Sequence, residues 1–177
     1  AAINANATVS ASVTAAASST DKITITSDVA GTAFTSTSTS TNLTAVAQVD
    51  NVTLANTYAT NDTVSVNVNG LGAVVYTVVA NDLTANGDGT GGTVAGNSTS
   101  ALNNITTKVA AAVNADAASA EIVTAAASGG GGGVITLTAD TAGTSFTRVS
   151  SASTAGDGTA TGTTATNNLP ASTDNKA

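Results

Sequence analysis

The amino-acid sequence predicts an α+β fold dominated by β-strands, built from a repeated ββαβββ unit in which one helix covers a small sheet. Three observations support this prediction. Residues 98–114 have the periodicity of an amphipathic helix, segments on both sides of them alternate as strands do, and blocks of sequence recur about 110 residues apart. The first copy of the unit is predicted to be incomplete.

The predicted helix has one apolar face, because aliphatic residues recur along it at spacings of three and four. These residues are Leu102, Ile105, Val109 and Val113. Ser98, Thr99 and Ser100 offer hydroxyl groups that can cap the first turn. A single amphipathic helix between strands must lay its apolar face on a sheet, so the unit is expected to contain one.

The complete copy, at residues 64–150, begins with a predicted β-hairpin. Its two strands flank Asn69-Gly70, a strong signal for a two-residue turn, and Leu71-Gly72 can lengthen the loop. A loop rich in Gly, Asn and Asp, at 81–97, leads to the helix. Three more strands are expected after the helix, near 121–125, 134–139 and 145–150.

The first copy repeats only the end of this unit. The blocks AAINA at 1–5, VTAAAS at 13–18 and ITIT at 23–26 match AAVNA at 111–115, VTAAAS at 123–128 and ITLT at 135–138. Phe34 and Phe146 fall at one repeat position and are predicted core anchors. The first copy therefore lacks the hairpin and nearly all of the helix. Its three strands, expected near 9–14, 22–27 and 33–39, would leave an apolar face uncovered.

The predicted domain organisation follows from these boundaries. Residues 1–40 form the incomplete unit, 41–63 a connecting segment, 64–150 the complete unit, and 151–177 an extended tail or linker that contains the only proline, Pro170. Two alternatives remain open for the uncovered face. A strand or two from the connecting segment covers it, or a neighbouring subunit donates its tail.

The complete copy resembles the IN motif of flagellins and flagellar cap proteins. The resemblance rests on NVNGLGAVVYTVV, a helix ending AAAVNA, EIVTAAAS and VITLTADTAGTSFT. Similar units recur in tandem in bacterial surface proteins and adhesins. The chain lacks the long terminal heptads of flagellin itself, so the resemblance implies an exported structural module without enzymatic activity.

The composition excludes several functions. The formal net charge is −7 with only four basic residues, which argues against binding to nucleic acid. No apolar run is long enough for a membrane helix. The absence of His and Cys removes the usual catalytic triads and most zinc sites. Glu121 is expected to be an exposed charge on a strand, and Lys108 lies on the polar side of the helix, so we expect no enzyme.

Two kinds of site remain as candidates. Asp82, Asn86 and Asp88 lie in a loop with the oxygen ligands and glycines that Ca²⁺ favours, although a flexible loop without a metal is the preferred interpretation. Glycosylation sequons are the second kind, provided that the source organism has the machinery. They begin at Asn6, Asn42, Asn51, Asn61, Asn97 and Asn104.

These features predict an extracellular structural protein that self-assembles into a filament, sheath or surface layer. Its partner would be another copy of itself, which completes the first unit by strand addition. The alternative is a fragment of a tandem-repeat adhesin that binds glycans or a host surface. Sugar-binding sites usually need exposed aromatic residues, and only Tyr58 and Tyr76 are available.

Overall fold

A computed structural model describes residues 2–18, 23–37, 43–128, 132–155 and 157–171. The chain divides into two compact units, Ala1–Thr41 (unit 1) and Asn42–Ala177 (unit 2). Strands dominate in the described residues and one long helix accompanies them, which confirms the predicted β-rich α+β class.

Unit 2 contains two antiparallel sheets. Its strands are β3 (Val49–Ala55), β4 (Thr63–Val68), β5 (Ala73–Thr77), β6 (Val123–Ala127), β7 (Val134–Ala139), β8 (Arg148–Ser153) and β9 (Thr159–Thr166). One sheet has the order β6-β7-β3-β9 and the other the order β5-β4-β8. The two sheets adjoin where β8 contacts β9. The sequence predicted one small sheet covered by the helix, whereas unit 2 contains two sheets.

The long helix of unit 2, α2 (Thr99–Ala115), begins where the sequence predicted. The Ser98 hydroxyl accepts a hydrogen bond from the Ala101 N–H at 3.1 Å, which satisfies one of the unpaired donors of the first turn. All four predicted apolar positions of the helix are buried. They share one core with valines of β4 and with Ile135, Leu137 and Phe146. A short helix, α3 (Ala117–Ala120), follows α2.

The predicted hairpin is formed by β4 and β5, with Val64 opposite Tyr76 and Val66 opposite Val74. Asn69 and Gly70 both have positive φ, as a tight hairpin turn requires. The side chains of β4 alternate strictly, so Val64, Val66 and Val68 enter the core.

The connecting segment and the tail belong to unit 2. β3 lies between β7 and β9 in the four-stranded sheet, so the strand expected to cover the first unit helps to form the core of the second. β9 pairs with β3 along its whole length, and Leu169 forms a bridge to Val46. Residues 157–171 are thus not an extended linker. The expectation failed because strand pairing over about 110 residues leaves no local sequence signal.

Unit 1 contains α1 (Ala2–Ala5), β1 (Val13–Ala17) and β2 (Ile23–Ser27), and the two strands form an antiparallel pair. The strand predicted at 9–14 begins later, because residues 7–12 form turns. The strand predicted at 33–39 is absent from its described part, 33–37, and residues 38–39 lie outside the described residues. The strand predicted at 22–27 is β2, which begins at Ile23, and Lys22 lies outside the described residues.

Candidate functional site

Unit 1 has the same local structure as the end of α2 with β6 and β7. In unit 1, the Asn4 side chain accepts from the Ala15 N–H and donates to the Ala15 carbonyl, both at 2.9 Å. In unit 2, Asn114 makes the same two bonds to Ala125, both at 2.8 Å. Each asparagine pairs with the outer edge of its strand as a residue of another strand would.

Other contacts recur between equivalent residues of the two units, which lie 110 or 112 positions apart in the sequence. The Thr14 hydroxyl donates to Asp28 at 2.7 Å, and the Thr124 hydroxyl donates to Asp140 at the same distance. The strand registers also agree, since β1 and β2 align Thr14 with Thr26 as β6 and β7 align Thr124 with Thr138. Residues of unit 1 can therefore be compared position by position with their equivalents in unit 2.

The two units differ sharply in what covers them. Ile23 is 64% exposed, whereas its equivalent Ile135 is 0% exposed. Phe34 is 43% exposed, whereas Phe146 is 5% exposed. In unit 2 these positions pack against α2 and the valines of β4, and nothing among the described residues of unit 1 replaces those elements. The part of the apolar face of unit 1 that contains Ile23 and Phe34 is open, whereas Val13 is buried like its equivalent Val123.

A groove of about 370 Å³ runs along this open face. Its apolar lining comes from Ile3, Val9, Val13, Ile25 and Phe34. The other described lining residues include Thr35, Ser36 and Thr37, and no charged side chain occurs among the described residues of the lining. The described part of the groove therefore has an aliphatic and aromatic floor with uncharged polar side chains beside it.

The second edge of β2 adjoins the open face. In unit 2 the equivalent edge, on β7, pairs with β3. No described strand of unit 1 occupies the corresponding position on β2. The backbone N–H and C=O groups along that edge can therefore form a ladder with an added strand.

The strand at the end of the four-stranded sheet, β9, is fixed to its own unit at both ends. The buried Tyr58 hydroxyl donates to the Thr159 carbonyl at 2.6 Å, and the Thr57 N–H donates to Asp157 at 3.0 Å. At the other end Leu169 and Val46 exchange backbone hydrogen bonds. β9 is consequently not a loose strand.

A buried polar cluster holds β3, β8 and β9 in register. Arg148 donates to Asp50 at 3.1 Å, and the Gln48 amide donates to the same carboxylate at 3.1 Å. Gln48 also donates to the Phe146 carbonyl and accepts from its N–H. Gly162 leaves room for this arrangement, because a Cβ there would overlap the Arg148 guanidinium. Ser36 stands in unit 1 where unit 2 has Arg148, so the open face of unit 1 lacks this charge.

Sequence reasoning missed this cluster. The one available signal was Asp50 at an inward-facing position of an alternating strand, because a buried carboxylate requires a cationic or hydrogen-bonding partner. Arg148 was the natural candidate among the four basic residues of the chain.

The three candidate calcium ligands have other partners within the protein. The buried Asp82 carboxylate accepts from the Tyr76 hydroxyl at 2.7 Å and from the Val79 N–H at 2.9 Å. Hydrogen bonds from the hydroxyl and N–H of Thr90 hold the pKa of Asp88 below its ordinary value. Asn86 donates to the same Thr90 hydroxyl. No group of three His, Cys, Asp or Glu side chains placed to hold a metal occurs in the described part of the chain.

The six sequons differ in accessibility. Asn61 and Asn97 are exposed, and so is Asn6, whose side chain caps the turn at Thr8. Asn51 is partly buried within β3 and accepts from Thr136. Asn104 donates to two backbone carbonyls of the 81–92 loop, so a glycan there would displace an anchor of that loop. Asn42 lies outside the described residues.

The remaining charged candidates, Lys108 and Glu121, are both exposed. Lys108 is exposed on α2, as predicted. Glu121 is exposed but ends α3 instead of lying on a strand. Within the described segments, no helix is both long and apolar enough to cross a membrane.

A scan of protein-family models and a search of curated proteins found no match to this chain.

Proposed function

We propose that the protein is an extracellular structural subunit that self-assembles head to tail into a filament, sheath or surface layer. The main support for this proposal is the contrast between Ile23 and Ile135. The two residues occupy the same repeat position, but the side chain is exposed in unit 1 and buried in unit 2. Burial of a side chain such as Ile23 or Phe34 contributes roughly 1.5–3 kcal/mol. A subunit that covers the open face therefore gains a substantial driving force from few residues.

Strand complementation supplies the second part of the contact. A strand from the neighbouring subunit pairs with the free edge of β2, as β3 pairs with β7 in unit 2. Since β9 is fixed to its own unit, a released β9 is not the expected donor of this strand. Such a contact joins two different surfaces, and it propagates when the rotation between subunits does not close a ring.

The alternative function, a surface- or glycan-binding module of a tandem-repeat adhesin, has one observation in its favour. The bonds of Asn4 repeat those of Asn114, as expected for neighbouring modules of an array. The tyrosines do not favour glycan binding, because Tyr58 is buried and the Tyr76 hydroxyl is bound to Asp82. Assembly is therefore the preferred proposal.

The test compares two substitutions in unit 1. Val29 is as exposed as Ile23, but its equivalent in unit 2 is the exposed Thr141. We expect the unmodified chain to form large, regular assemblies by light scattering and electron microscopy. Ile23→Asp should abolish them, whereas Val29→Asp should leave them unchanged. A monomer at every concentration would exclude the proposal and favour the adhesin module.

A further inference from the structure

We propose that the groove of unit 1 receives the tip of the β4–β5 hairpin of a second copy, with Leu71 as the inserted side chain. This inference deepens the proposed function and rests on it, because it names the part of the neighbour that occupies the open face. The hairpin tip means residues 69–72, between β4 and β5.

The floor of the groove favours an aliphatic occupant, because it consists of aliphatic and aromatic side chains. At the equivalent positions of unit 2, Val123, Leu137 and Phe146 are buried in one core with Val66 and Val68 of β4. In unit 1 Val13 is buried as well, but Phe34 remains 43% exposed.

Leu71 is the large aliphatic residue that this hairpin leaves in solvent at its tip. It is 53% exposed, although burial of a leucine is favourable. The adjoining Asn69, Gly70 and Gly72 add no charge and little bulk. A single leucine on a narrow turn can enter a groove of about 370 Å³ without steric conflict from its neighbours.

The tip is held rigidly, so little conformational freedom is lost on docking. The Asn69 N–H donates to the Thr147 carbonyl at 2.9 Å, and the Thr147 N–H donates to the Asn69 side chain at 2.7 Å. The Leu71 N–H donates to the Val68 carbonyl at 3.1 Å. The turn therefore presents Leu71 in a fixed position.

Charge also favours this pairing. The chain carries a net charge of −7, so like-charged surfaces of two copies repel each other in general. Neither the described lining of the groove nor residues 69–72 contain a charged side chain. An aliphatic projection on one unit and an apolar groove on the other form a heterologous contact, which links copies into an open chain when the rotation between them does not close a ring.

The experiment compares Leu71→Asp with Val79→Asp in the full chain. Val79 is 47% exposed, similar to Leu71, but it follows β5 at the end of the hairpin opposite the tip. We expect Leu71→Asp to reduce the assembled fraction at least tenfold and Val79→Asp to leave it within twofold. Assembly that persists in Leu71→Asp but is lost in Ile23→Asp would overturn this inference and leave the proposed function standing.

A second measurement does not depend on polymerisation. Isotope-labelled Leu71→Asp chain, whose groove is intact, is mixed with unlabelled Ile23→Asp chain, whose hairpin tip is intact, and amide spectra are recorded. Saturable shifts at Val13, Ile25 and Phe34, which are absent when the unlabelled chain also carries Leu71→Asp, support the inference. No shift at these residues, or equal shifts with both unlabelled chains, would overturn it. Shifts in this mixture when the unmodified chain never assembles would support the groove and exclude the proposed function.

Discussion

The equivalence of Ile23 and Ile135 allows one substitution to be compared in two environments. Ile135→Ala removes three carbons from a fully buried side chain, and the lost transfer free energy alone is roughly 2.4 kcal/mol at about 0.8 kcal/mol per methylene. The cavity left in the core brings the expected loss to about 3–4 kcal/mol. Ile23→Ala alters an exposed side chain and should change the stability of the dilute monomer by less than about 0.5 kcal/mol.

Urea denaturation measures this difference. Both tyrosines of the chain, Tyr58 and Tyr76, lie in unit 2, so tyrosine fluorescence reports the unfolding of that unit. Far-UV circular dichroism is recorded in the same titration, because it also follows the strands of unit 1, where Ile23 lies. With a slope of about 2 kcal/mol per molar urea, Ile135→Ala should lower the midpoint by roughly 1.5–2 M. Ile23→Ala should leave the midpoint unchanged.

Two results would refute the reasoning behind this comparison. An equal shift for the two variants would mean that Ile23 contributes to the same core as Ile135. A shift below about 1 kcal/mol for Ile135→Ala would mean that the core around β7 collapses to fill the space. Valine at each position serves as the milder control, with a loss of about 1 kcal/mol expected at 135 and none at 23.

Three further outcomes are expected in unit 2. Arg148→Met leaves the buried Asp50 carboxylate without its cation and should cost about 3–5 kcal/mol in urea denaturation, while the double variant with Asp50→Asn should recover most of that loss. Asn114→Ala removes both bonds to the edge of β6 and should cost about 1–3 kcal/mol by the same assay. Burial raises the pKa of Tyr58 and of Tyr76 well above the usual value near 10, so the folded state disfavours their ionised forms. The associated stability is present below about pH 10 and is lost above it, and tyrosinate absorbance should therefore appear together with unfolding in an alkaline titration.

Local patterns in the sequence were sufficient for the elements whose contacts are close in the chain. The spacing of Leu102 and Ile105 fixes the buried face of α2, and Ser98 begins the helix because its hydroxyl can accept from the first turn. Asn69-Gly70 defines the β4–β5 hairpin, since both residues tolerate positive φ. These features require only neighbouring residues, and the sequence therefore predicted them.

The elements that pair across long separations were not predictable in this way. The partner of β3 was left open between two alternatives, and β9 was taken for a tail, because small Thr- and Ala-rich strands carry no signal for their partners. An uncovered apolar face on the first copy was an expectation from the repeat, and Ile23 and Phe34 are exposed there. Under the proposed assembly a second molecule covers that face, and a contact between molecules leaves no pattern within one copy.

Amide hydrogen exchange on β2 tests the central claim most directly. The Asp28 N–H donates to the carbonyl of Ser12, the residue before β1, and therefore points toward β1. Because N–H groups alternate in direction along an antiparallel strand, the amides of Ile25 and Ser27 point toward the free edge of β2. We expect these two amides to exchange rapidly in dilute solution and to become strongly protected at concentrations that support assembly. The amide of Asp28 should show a smaller change. Rapid exchange of Ile25 and Ser27 in assembled material would contradict the claim that a neighbouring subunit completes the first unit by strand addition.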